Sequence, residues 1–63
     1  MSWCYRARRR EDKGETWYEV VEYYGKDGYI SEHVHPTGET LEGLIEDLER
    51  MLKDVKTRPV LEE

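Results

Sequence analysis

The sequence predicts an α+β fold in which a three-stranded antiparallel meander carries one C-terminal amphipathic helix on one face. Three observations lead there. Leu41, Leu44, Ile45, Leu48, Met51, Leu52 and Val55 fall within an arc of roughly 120° at about 100° per residue. The first half of the chain is aromatic and β-branched, with turn residues between its apolar runs. Every aromatic residue lies between positions 3 and 29, so this half is the apolar surface on which the helix can rest.

Residues 2–9 read as the first strand, with Trp3, Tyr5 and Ala7 on one side and Cys4, Arg6 and Arg8 on the other. Arg10 to Glu15 reads as a polar hairpin loop in which Gly14 is free to take positive φ. Thr16 to Tyr24 is the strongest strand. Gly25-Lys-Asp-Gly28 is a tight turn, and Tyr29 to His35 continues as a third strand that stops at Pro36. The meander thus covers residues 2–35, the helix 40–56 and a tail 57–63, in one domain. Thr40 is the expected N-cap, and Glu39 and Glu42 suit the positive end of the helix. Gly43 stands where a capping-box glutamate would go. Leu44, Leu48 and Leu52 are expected to seat the helix on the sheet, and Val60 and Leu61 to fold back against it.

Sixty-three residues, 37% hydrophobic and 40% charged, leave room for a small core and for no large substrate pocket. The net charge of −5 is uneven: residues 1–13 carry +3 and the remainder −8. No apolar run has the length of a membrane span, and the N-terminus lacks the apolar region of a signal peptide. Cys4 is the lone cysteine, which excludes an internal disulfide and suits the cytoplasm.

The chain resembles a family of short bacterial β-β-β-α proteins of no known activity. The resemblance rests on Trp3, Tyr5, Arg6, Trp17, Tyr18, Glu22-Tyr-Tyr24, Gly28, Pro36 and Gly38-Glu-Thr40. It continues through Glu42, Leu44, Leu48, Met51, Leu52 and Pro59-Val-Leu61. Cys4 and Gly43 depart from the pattern, where an asparagine and a glutamate are expected, and the strand with His33 and His35 also diverges. The resemblance implies the fold and no activity. Residues 27–52 alone, a strand followed by Gly38-Glu-Thr40 and an amphipathic helix, are also similar to antitoxin domains of the HicB type.

Chemistry-bearing clusters are few. His33 and His35 could offer two metal ligands from one side of a strand, but no third ligand stands at a recognised spacing, so no metal site is expected. There is no glycine-rich phosphate loop and no nucleophile elbow. Cys4 with a histidine is the one conceivable nucleophile–base pair, and no enzyme and no cofactor are expected. Acidic residues along the helix, Glu42, Glu46, Asp47, Glu49 and Asp54, read as a solvated face.

Two surfaces are candidates for binding. One helix covers one sheet face, so the other must stay open, be clad by arginine stems, or meet another chain. Trp3, Tyr5, Trp17, Val21, Tyr23 and Tyr24 form the candidate interface, for a protein partner or a second copy. Arg6, Arg8, Arg9 and Arg10 form a candidate basic patch for nucleic acid, the alternative reading, which the acidic balance of the chain disfavours. The leading expectation is a small cytoplasmic accessory protein that binds another protein through the helix-free sheet face.

Overall fold

The computed structural model describes residues 3–62; Ser2, assigned by its sequence to the first strand, lies outside them. Strands β1 (Trp3–Asp12), β2 (Glu15–Tyr24) and β3 (Tyr29–His33) form one antiparallel sheet in chain order, and helix α1 (Leu41–Thr57) follows. This is the expected meander plus helix.

The first hairpin is longer and tighter than the polar composition of residues 10–15 suggests. Pairing runs from Trp3 with Tyr24 out to Asp12 with Glu15, leaving a two-residue turn. Lys13 (φ 51°) and Gly14 (φ 83°) both take positive φ, the geometry whose twist matches the flanking strands. The charged residues beside it therefore belong to strands whose tips stand in water. The second turn closes with the Asp27 and Gly28 N–H groups donating to the Tyr24 carbonyl, and Gly28 takes φ 69°. Strand β3 ends at His33, two residues before the expected limit. A bulge sets Ser31 and Glu32 against Glu22, and the Ser31 hydroxyl accepts from the Glu22 N–H at 2.9 Å.

Helix α1 begins at Thr40, whose hydroxyl accepts from the Gly43 N–H at 3.0 Å. Gly38 permits this entry, since a Cβ there would stand 2.3 Å from the Leu44 nitrogen. The helix packs against β1, but of the three expected leucines only Leu44 faces inward. Its inward residues are Leu44, Asp47, Met51, Asp54 and Val55, whereas Leu48 and Leu52 are exposed. Polar contacts set this rotation. The Tyr5 hydroxyl donates to Asp47 Oδ1 at 2.7 Å, the Thr37 N–H donates to Asp47 Oδ2 at 3.0 Å, and the Tyr5 N–H donates to Asp54 Oδ2 at 3.0 Å. A buried phenol and an edge N–H both cost free energy if left unpaired, so the two aspartates turn toward β1 and carry two leucines outward.

The tail returns as expected and closes the outer edge of β1. Leu61 pairs in parallel beside Arg8, its N–H donating to the Ala7 carbonyl and its carbonyl accepting from the Arg9 N–H, both at 2.8 Å. The core is thin: among the described residues, Tyr5, Ala7, Val21 and Met51 are the buried ones.

Candidate functional site

The residues of the predicted sheet interface do not share a surface. Strand alternation and register place Trp3, Tyr5 and Tyr24 on the face beneath α1, and Trp17, Val21 and Tyr23 on the opposite one. On the helix side, the rings form a row: Trp3 meets Tyr5 edge-on at 5.1 Å and Tyr24 at 6.2 Å, and Tyr24 meets Tyr29 at 5.6 Å. Tyr5, 6% exposed, is core.

The helix-free face is occupied by the chain's own arginines. The Arg6 guanidinium lies 4.7 Å from the centre of the Tyr23 ring and donates to the Pro59 carbonyl at 2.8 Å. Glu19 gathers three donors. Arg8 bonds it at 2.7 Å, Trp17 Nε1 at 3.0 Å, and Arg10 approaches to 3.6 Å. The Arg8 hydrogen bond, followed by that of Trp17 and the charge of the arginines, holds the Glu19 carboxyl below the usual carboxylate range against a smaller effect of burial. Val21, between Arg6 and His33 in register, is 0% exposed. Arg6 thus lies over Tyr23, and Arg8 and Arg10 gather on Glu19, while Trp17 on the same face stays 41% exposed.

This also places the basic patch. Arg6, Arg8 and Arg10 stand on the clad face, engaged with Tyr23, Pro59 and Glu19. Arg9 points to the other side and pairs loosely with Glu11 and Glu62 at 3.8 and 4.0 Å. The His33 and His35 rings meet edge to face at 5.3 Å. Among the described residues no cluster of three His, Cys, Asp or Glu is placed to hold a metal ion. Cys4 is a half-buried free thiol, and among the described residues no helix is long and apolar enough to cross a membrane.

Beside the exposed rings of Trp17, Tyr18 and Tyr29 on the sheet, a row of apolar side chains stays open on α1. Leu41, Ile45, Leu48 and Leu52 are 72, 46, 45 and 60% exposed. At about 100° per residue they form one flank, roughly a quarter-turn from the Leu44–Met51–Val55 face that meets β1. Their spacing of four, three and four residues is that of a seam built to meet another helix. Beside them Glu42, Glu46, Glu49, Lys53 and Lys56 make an exposed polar border. Sequence reasoning found these four leucine and isoleucine side chains but assigned them to the core together with Leu44, Met51 and Val55. The available signal was the width of the stripe, which exceeds what one contact with a single strand uses.

The chain matches no protein-family profile, no curated protein and no solved structure.

Proposed function

We propose that this chain is a small cytoplasmic protein-binding module whose recognition surface is the flank of α1 formed by Leu41, Ile45, Leu48 and Leu52. The observation that carries the reading is the exposure of four large aliphatic side chains, 45–72%, in one continuous row on a protein whose described residues place four side chains in the core. The function is binding and not catalysis. The helix-free sheet face takes a supporting part, because Arg6 already lies over Tyr23 and Glu19 holds Arg8 and Arg10 across it. The same engagement supports a structural role for the arginines and weighs against nucleic acid as the partner. The free thiol of Cys4 suits a reducing compartment.

The test separates the two apolar sides of α1. Leu48→Lys with Leu52→Lys should leave the melting temperature unchanged or raise it, while Met51→Lys should abolish cooperative unfolding. A photoreactive residue at Ile45 should give a discrete cross-linked product that the double lysine variant no longer gives. A double variant that unfolds, or a cross-linking pattern indifferent to it, overturns the assignment.

A further inference from the structure

We propose that the outer edge of β1 is a strand-acceptor site for extended acidic peptides, and that residues 59–62 are a strap lying in it, displaceable by such a peptide. The site is apart from the flank of α1 and does not depend on the role given to that flank.

The outer edge of β1 is guarded in sections. Near its start, Asp54 of the helix takes the Tyr5 N–H at 3.0 Å. Toward the turn, Arg10, Glu11 and Asp12 put charges on the strand, an ordinary defence of an open edge. Between these sections the backbone pairs with the tail through one parallel bridge. There Leu61 donates to the Ala7 carbonyl and accepts from the Arg9 N–H. The stretch from Ala7 to Arg9 is therefore where a strand can be added, and an extended segment already sits there.

The strap is lightly held. Beyond those two backbone bonds, the Arg6 Nε donates to the Pro59 carbonyl at 2.8 Å. Pro59, Val60 and Glu62 are exposed and Leu61 is half-buried, so none of the strap belongs to the core. The seat of α1 on β1 rests on Leu44, Asp47, Met51, Asp54 and Val55, all of which precede the strap. The strap can leave without unseating the helix, and local opening of such a segment costs a fraction of global unfolding.

The same contacts define the ligand. Backbone pairing accepts any extended chain, and the side chains beside it select. Arg6 offers a donor to the carbonyl two residues before the bridge. The half-buried site of Leu61 calls for an aliphatic side chain. Arg9 lies 4.0 Å from Glu62 and 3.8 Å from Glu11, so its charge favours a carboxylate just after the bridge. Residues 1–13 carry five basic against two acidic side chains, a field that draws in acidic segments. The recognised segment is an extended one with an aliphatic residue followed by an acid, parallel to β1.

Two measurements on the full chain test this. In native hydrogen exchange, the Arg9 and Leu61 amides should exchange at least about 100-fold faster than the amides shared between β1 and β2. The second uses Leu61→Pro, which removes the donor to Ala7 and frees the edge. This variant is titrated to about 5 mM with a synthetic peptide of residues 58–63, read by amide shifts at Ala7 and Arg9. Saturating shifts are expected, and the native chain should need about tenfold more peptide because its own strap competes. A peptide with aspartate in place of its leucine should bind at least about tenfold more weakly. Arg9 and Leu61 amides as protected as the ladder overturn the strap, as does a Leu61→Pro variant that unfolds or keeps Arg9 protected. An uncovered edge that shows no shift overturns the acceptor site. Equal binding by native and variant chains overturns the competition, and equal binding of the two peptides overturns the stated ligand.

Discussion

At the scale of single residues, Tyr5 does more than any other side chain to join the two halves of the chain. Its ring is core, its hydroxyl reaches Asp47, and its backbone N–H reaches Asp54 two helical turns further on. A hydrogen bond from a phenol to a charged carboxylate is worth about 1.5–3 kcal/mol net when it is kept from water. Tyr5→Phe keeps the ring and the N–H bond, so urea melts should show a loss within that range. Asp47 retains its Thr37 N–H in this variant, which limits the damage to one bond. The role was half legible beforehand. A tyrosine-rich chain without phenylalanine must find hydroxyl partners for whatever it buries, but alternation within β1 says nothing about which helix residue answers.

At the scale of elements, the first hairpin holds a local conflict. Lys13 sits at φ 51°, in the left-handed region where a non-glycine side chain costs about 1–2 kcal/mol and asparagine is best tolerated. Lys13→Asn should therefore stabilise the domain by about 0.5–1 kcal/mol, a rise in melting temperature of roughly 2–8 °C for a chain of this size. Calorimetry checks it, and a fall would show that the turn does not take this form. The turn was readable from Gly14, whereas its shortness was not. Ten residues of pairing on each strand win over the polarity of Arg10, Glu11 and Asp12, because edge side chains at a hairpin tip stay solvated while the backbone pairs. The helix shows the complementary case. Period and N-cap were plain in the sequence, yet its rotation depends on two aspartates that composition marks as surface residues.

For the whole molecule, ionisation limits stability at both ends of the pH scale. Asp47, held down by the Tyr5 hydroxyl and then the Thr37 N–H, and Glu19, held down chiefly by Arg8, bind protons less readily folded than unfolded. Their contribution is complete above the ordinary carboxylate values near 4 and is lost as the pH falls through their lowered folded values. Tyr5 behaves in the opposite sense. Burial first, and then its bond to Asp47, push the phenol up to about 12 from an ordinary value of 10.0, so the folded state keeps a proton that the unfolded state releases. Stability should fall between about pH 10 and 12 as that difference is drawn on. Urea midpoints measured from pH 2.5 to 11.5 should show a plateau with a decline on each side. In Tyr5→Phe the alkaline decline should be smaller, since the raised phenol is gone.

The sequence by itself determined the element order, the antiparallel meander, the Thr40 cap, the return of Leu61 to the sheet and the alternation of side chains along each strand. These follow from short-range physics: side-chain period, turn chemistry and the demand of an amphipathic helix for an apolar support. Only the tertiary structure decided what each apolar surface meets. Arg6, Arg8 and Arg10 lie across part of the sheet face that looked available, through contacts with Tyr23, Pro59 and Glu19 that span up to 53 residues of chain. Asp47 and Asp54 turn α1 toward β1 and leave Leu41, Ile45, Leu48 and Leu52 in water. The period of a helix tells which residues share a side. Which part of that side is buried depends on the hydrogen bonds of the strand it lands on, and those are set across the fold.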